Sequence, residues 1–187
     1  MLDKLLSLDT QLFVYLNGLG SDSYDGLWLF ITKQINWIPF FLLLFYIIYK
    51  KIGKRQTLYV LLFIALLILI TDQCTNLFKY TVQRLRPCNN PDIKDVIRIV
   101  QSRSSLSFFS GHAANSMAAA MFIYLLLKPY FKYTFLLFLW PLIFAYSRIY
   151  LGLHYPIDIL CGYLFGMLSG LFVFRIYQFT QIKYFPL

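Results

Sequence analysis

Acidic residues are scarce in this chain of 187 residues: there are eight, all of them aspartate, and no glutamate. Charged residues of both signs make up only 13% of the chain. A soluble domain of this size ordinarily carries about twice that share. No carboxylate cluster is present that could recruit a metal, and neither a Walker loop nor an HExxH pattern occurs. Cysteine is limited to Cys74, Cys88 and Cys161, in neither CxxC nor Cys/His spacing, so they read as packing residues without support for a disulfide. Met1 to Gly20 alternates polar and apolar residues and lacks an apolar h-region, so no cleavable leader is expected. Internal repeats, low-complexity tracts and an appended soluble domain are not expected either, and residues 1–187 read as one domain.

What the chain has in abundance is apolar: 59% hydrophobic residues, 20% aromatic ones and a mean hydropathy of +0.64. These residues fall in runs that span or nearly span a bilayer. The expectation is an all-α integral membrane bundle of about five transmembrane helices with amphipathic interfacial helices at the N-terminus. Residues 1–34 supply the interfacial pieces, with a helix over 4–18 stopped by Asn17-Gly18. Residues 35–187 supply the spanning core. Its segments are Trp37–Tyr49, Thr57–Phe78, Ser110–Leu127, Tyr133–Tyr150 and Ile157–Tyr177, with a polar loop over 80–106. Gly162, Gly166 and Gly170 recur every four residues and make a smooth stripe for close helix packing.

Five spans sort the turns onto two sides. One side holds Lys50, Lys51, Lys54, Arg55, Lys128, Lys132, Arg175 and Lys183 with no acid among them, which reads as cytoplasmic. The loop 80–106, the turn 147–156 and the N-terminal pieces then face outward.

Three polar constellations converge on that outward side. In the first, Asp72, Asn76 and Lys79 share a helical face, so that Asp72 and Asn76 position Lys79, and Arg84 and Arg86-Pro87 follow. In the second, Ser110 is a good N-cap and Gly111 admits close approach to the backbone, making an anion site with His112 beside it. In the third, Arg148 can grip an anion. If Pro156 opens a helix, His154 and Asp158 lie on one face of it, where the carboxylate accepts a proton from one imidazole nitrogen and frees the other. Lys79, Arg86 and Arg148 with helix amides neutralise a transferring phosphoryl group. Two histidines then suffice for in-line attack and leaving-group protonation, with no metal and no cofactor.

Lys79 followed by six residues and Arg86-Pro87, then Ser110-Gly111-His112, then Ser147-Arg148, five residues, His154, three residues and Asp158 resemble the three-part signature of the type 2 phosphatidic acid phosphatase superfamily. The resemblance covers residues 72–158 and extends to the small bacterial members. It implies that His154 is a nucleophile forming a phosphohistidine, that Asp158 orients it, and that His112 is the general acid. It also implies that Lys79, Arg86, Arg148, Ser110 and the Gly111 amide hold the phosphate without a metal. Phe109 departs from the proline usual before Ser-Gly-His.

The implied protein is an enzyme of the bacterial inner membrane whose site faces the periplasm. Its partners are the bilayer and a phosphorylated lipid, with no nucleic acid and no oligomeric state specified. Lipid A 1- or 4'-phosphate and undecaprenyl pyrophosphate suit so small a body; phosphatidylglycerol phosphate is the alternative. The loop with Arg84, Lys94, Arg98 and Arg103 suits a large anionic headgroup or acidic bilayer lipids. A non-catalytic anion-binding protein would need the cations but neither histidine. A haloperoxidase would be soluble, and a carrier would gather its polar groups at the mid-plane.

Overall fold

Six α-helices carry the fold in the computed structural model, which describes residues 1–184, and no strand occurs among those residues. They are α1 (Leu2–Gly18), α2 (Asp22–Ile31), α3 (Ile38–Val82), α4 (Gly111–Leu127), α5 (Leu139–Tyr150) and α6 (Pro156–Tyr184). Single 3-10 turns occupy Gln34–Trp37, Pro87–Asn89 and Thr134–Phe138.

The first two expected spans are the two arms of α3. Gly53 breaks the helix at φ +75, a backbone conformation that costs glycine little and other residues much. Leu44 and Ile48 of the first arm join Val60 and Leu67 of the second in one apolar cluster with Phe122 of α4 and Phe174 of α6. The second arm continues past the expected end at Phe78 to Val82, where Gln83 caps it in the left-handed region. The fourth expected segment, Tyr133–Tyr150, is not one α-helix. Pro141 would clash with the carbonyl four residues earlier, so a 3-10 turn over Thr134–Phe138 precedes α5. Two stretches, Gln34–Asn89 and Pro156–Lys183, are long and apolar enough to cross a membrane, while Gly111–Leu127 and Thr134–Tyr150 are shorter apolar helices.

α4 and α6 pack through the glycine stripe. A Cβ on Gly166 would lie 2.3 Å from the Ala114 carbonyl oxygen, one on Gly170 2.6 Å from that of Ala118, and one on Gly162 2.7 Å from that of Ser110. The stripe faces Ser110, Ala114 and Ala118, themselves four apart, so two small-residue ridges mesh along both helices. This contact also sets the register of the two N-termini, and Ser110 N donates to the Asp158 carbonyl at 3.0 Å.

α1 is amphipathic as expected. Leu5, Leu8, Leu12 and Tyr15 are exposed, while Asp9, Phe13 and Asn17 are buried. Phe13 meets Tyr155 edge-on at 5.3 Å. The Asn17 amide donates to the carbonyls of Arg98, Ile149 and Tyr150 and accepts from Arg98 N, which ties α1 to the long loop and to the end of α5.

Candidate active site

The C-terminal ends of α3 and α5 and the N-terminal ends of α4 and α6 meet on one side of the bundle, and the three polar constellations meet with them. Ser110 caps α4 through its side chain, which accepts from Ala113 N at 3.4 Å. Pro156 is the first residue of α6. His154 therefore precedes the helix rather than sharing a face with Asp158. The two residues meet through a cap: Asp158 Oδ2 accepts from Tyr155 N at 3.0 Å, closing the first turn from within, and the same oxygen lies 3.4 Å from His154 Nδ1.

His154 is 1% exposed and held from both sides of its ring. Arg86 NH1 lies 2.9 Å from Nε2. Because a guanidinium can only donate, Nε2 must be the unprotonated nitrogen and Nδ1 carries the hydrogen. That hydrogen points at Asp158 and at Ser107 Oγ, 3.3 Å from Nδ1. Ser107 in turn donates to Asp158 Oδ2. Burial drives the imidazole down to about 3; the Asp158 hydrogen bond opposes that shift, and Arg86 and Arg148 add to it. The geometry thus presents a neutral imidazole whose Nε2 lone pair accepts from Arg86.

Arg86 contacts that nitrogen, and the other expected cations lie within electrostatic reach of Arg86. Arg86 is buried and held by the carbonyls of Ser105 and Leu153 and by Ser105 Oγ. Arg148, 1% exposed, donates from NH1 to Thr32 Oγ1 at 2.6 Å, while its Nε has no partner among the described residues. Lys79 is half-buried and faces the start of α4, where a Cβ on Gly111 would sit 4.0 Å from its Nζ. Its charge is within electrostatic reach of Arg86 and Arg148. His112 is stacked on Phe144 with ring centroids 5.1 Å apart. Together these groups can bind a tetrahedral anion in front of His154 Nε2. Among the described residues, no three His, Cys or Asp side chains converge as a metal set would.

Asn76 donates to Asp72 Oδ2 at 3.4 Å. No hydrogen bond or ion pair joins either residue to Lys79 among the described residues, but the Asp72 charge reaches the Lys79 ammonium and favours its charged form. Asp72 faces outward. Phe109 fills its place before Ser110 by packing on Phe78 and Phe165 and is 3% exposed. The basic loop offers only part of the anionic-headgroup surface expected of it, because two of its four cations are paired internally while Lys94 and Arg103 stay exposed. Arg84 pairs with Asp9 and Asp158, and Arg98 with Asp22 and Asp25. Of the four, only Arg103 lies within electrostatic reach of Arg86, Arg148 and His112 while remaining exposed. Ser107, Arg84, Asp9 and Thr32 carry no motif spacing that would single them out, and only the fold brings them to the site.

The sequence matches the model of the PAP2 superfamily over residues 56–182, and the curated relatives it matches are lipid phosphatases. The chain belongs to that superfamily. It is 36% identical to a lipid A 4'-phosphatase of Bacteroides thetaiotaomicron, over 96% of this chain and 82% of the relative. A lipid A 4'-phosphatase of Porphyromonas gingivalis is 30% identical, over 98% and 78% of the two chains. An undecaprenyl-diphosphatase of Sulfolobus acidocaldarius is 28% identical, over 88% and 76%. The fold is similar to that of the transmembrane PAP2-type phosphatidylglycerolphosphate phosphatase of Bacillus subtilis, with a TM-score of 0.72 at 19% identity over 98% of this chain and 90% of that one.

Proposed function

We propose that the protein is a single-domain membrane lipid phosphatase that crosses the bacterial inner membrane five times and removes the 4'-phosphate of lipid A at the periplasmic face. The observation that carries the chemistry is His154, neutral and buried, with Nδ1 against Asp158 and Ser107 and Nε2 against Arg86. An arriving phosphate oxygen takes the Arg86 N–H and uncovers the Nε2 lone pair. Nε2 attacks phosphorus, the bond from phosphorus to the lipid oxygen breaks, and that oxygen takes a proton from His112. Asp158 stabilises the cationic phosphohistidine through Nδ1–H. Water then loses a proton to His112 and attacks phosphorus, and the N–P bond breaks to restore His154. Lys79, Arg86, Arg148, Ser110 and the Gly111 amide hold the equatorial oxygens, so the charge a metal would supply comes from side chains.

The substrate class is supported by the names of the two bacterial relatives and by an apolar groove of about 350 Å³ beside the site. Trp37, Leu44, Ile64, Trp140 and Phe144 line it, and Phe144 also stacks on His112, so an acyl chain in the groove would lead directly to the general acid. Arg103, exposed and within electrostatic reach of Arg86 and Arg148, would meet the headgroup. Undecaprenyl pyrophosphate is the second reading, favoured by the Sulfolobus relative.

The test is phosphate release by detergent-purified protein offered lipid A, undecaprenyl pyrophosphate and phosphatidylglycerol phosphate side by side, with His154→Ala as the blank. Release from the 4' position of lipid A, lost in His154→Ala and unaffected by EDTA, is the expected result. Turnover by His154→Ala at the parental rate would remove the nucleophile assignment, and EDTA-sensitive turnover restored by Mg²⁺ would remove the metal-free mechanism.

A further inference from the structure

Asp9 lies on α1, well before residue 56 where the family match begins, on a helix whose other face is exposed leucine. Its side chain is fully buried, and a buried charge is costly unless it is compensated. Both oxygens are used. Oδ1 accepts from Ile157 N at 2.9 Å, at the start of α6, and Oδ2 accepts from Arg84 NH2 at 2.6 Å. The other arm of the same guanidinium, NH1, donates to Asp158 Oδ1 at 2.8 Å. Arg84 is fixed between them by lying over the Tyr155 ring, 3.8 Å from its centroid. Holding α1 against α6 would require only the bond to Ile157 N. The ion pair adds something else: it divides one positive charge between two carboxylates.

We propose that Asp9 is a positioning residue for the histidine chemistry, taking half of the Arg84 fork so that Asp158 keeps a net negative charge for His154. The inference rests on the reading of His154 as nucleophile. Asp9, Arg84 and Asp158 together carry one net negative charge, and Asp158 Oδ2 presents it to Nδ1. With Asp9 neutral the sum is zero, and Arg84 belongs to Asp158 alone. The phosphohistidine cation then loses stabilisation, while the groups that touch phosphate stay in place. Turnover should suffer and substrate binding should not.

Asp9→Asn retains an acceptor for Ile157 N and removes the charge. Its kcat should fall about tenfold, the rate equivalent of one pKa unit of interaction, with KM nearly unchanged. Asp9→Glu should recover part of the rate, and Asp9→Asn added to Arg84→Gln should cost nothing further. A second readout needs no turnover. The chain has two histidines, so histidine-selective ¹⁵N labelling gives two imidazole spin systems. Asp9→Asn should move the His154 signals and leave those of His112 in place. An unchanged kcat with unmoved His154 signals, or a change confined to KM, would overturn the proposal. If wild-type protein released no phosphate from any lipid, the functional reading would fall, and the imidazole signals would still decide the inference. Asp9→Ser is the second variant; if neither neutral variant folds, Asp9 is a structural residue and the proposal is wrong.

Discussion

Arg84 and Arg98 are built alike and placed differently. Each belongs to the connection between α3 and α4, and each bridges two aspartates with at least one partner on an N-terminal helix. Arg84 has a side chain 16% exposed, and both of its carboxylate partners are fully buried. Arg98 pairs with Asp22, which is 99% exposed, and with Asp25, which is partly so. The electrostatic attraction is similar in kind, but water screens one node and not the other. The buried node is expensive to break and, through Asp158, adjoins His154 Nδ1. The exposed node tethers α2, and Asn17, buried beneath it, supplies a further set of hydrogen bonds to the same loop.

The largest expected effect comes from breaking the buried node. Arg84→Ala strands two buried carboxylates and should cost about 3–5 kcal/mol in denaturant unfolding, together with nearly all turnover. A variant that melts with wild type would remove burial as the source of the difference.

The next effect is a pH dependence belonging to the buried site. His154 has a folded-state pKa of about 3 against an ordinary value of 6.5. Below pH 6.5 the unfolded chain takes up a proton that the folded chain refuses, so this contribution to stability is present above that pH and lost as pH falls. The slope should approach about 1.4 kcal/mol per pH unit between pH 6 and 4. Because other groups titrate in the same range, it is read as the difference between wild type and His154→Asn, and parallel stability curves for the two would contradict it.

Asn17→Ala should come third. It leaves carbonyls of Arg98, Ile149 and Tyr150 without their shared donor and should cost about 1–3 kcal/mol by the same unfolding measurement. A loss below that of Arg98→Ala would mean that the ion pairs, not the amide, hold the loop. The smallest effect is Asp22→Ala, for which no measurable shift in melting temperature and no change in phosphate release are expected. A clear loss of either would show that exposure does not separate the two nodes.

Much of this architecture was legible in the chain. The apolar runs mark α3, α4 and α6, the N-cap character of Ser110 marks the start of α4, and the glycines four apart mark the face that α4 occupies. Motif spacing singled out Lys79, Arg86, Ser110, Gly111, His112, Arg148, His154 and Asp158, which the fold gathers at one end of the bundle. The expected support of Lys79 by Asp72 acts through charge at a distance and not through a hydrogen bond, because adjacency on a helix face says nothing about which way a long side chain extends. Composition likewise hides that Arg84 and Arg98 of the basic loop are paired internally while Lys94 and Arg103 stay exposed, because it reports charge but not its partner.

Local order in this protein is thus a property of the sequence by itself. Helical periodicity, caps and the small-residue stripe depend on neighbours within about two turns, so they can be read in one dimension. The pairing of charges is different. Arg84 meets Asp158 across 74 residues and Asp9 across 75, and Arg148 meets Thr32 across 116. Only the packed helices decide which cations are spent on internal aspartates and which remain for an anion, because burial and orientation, not composition, determine what a charge is worth.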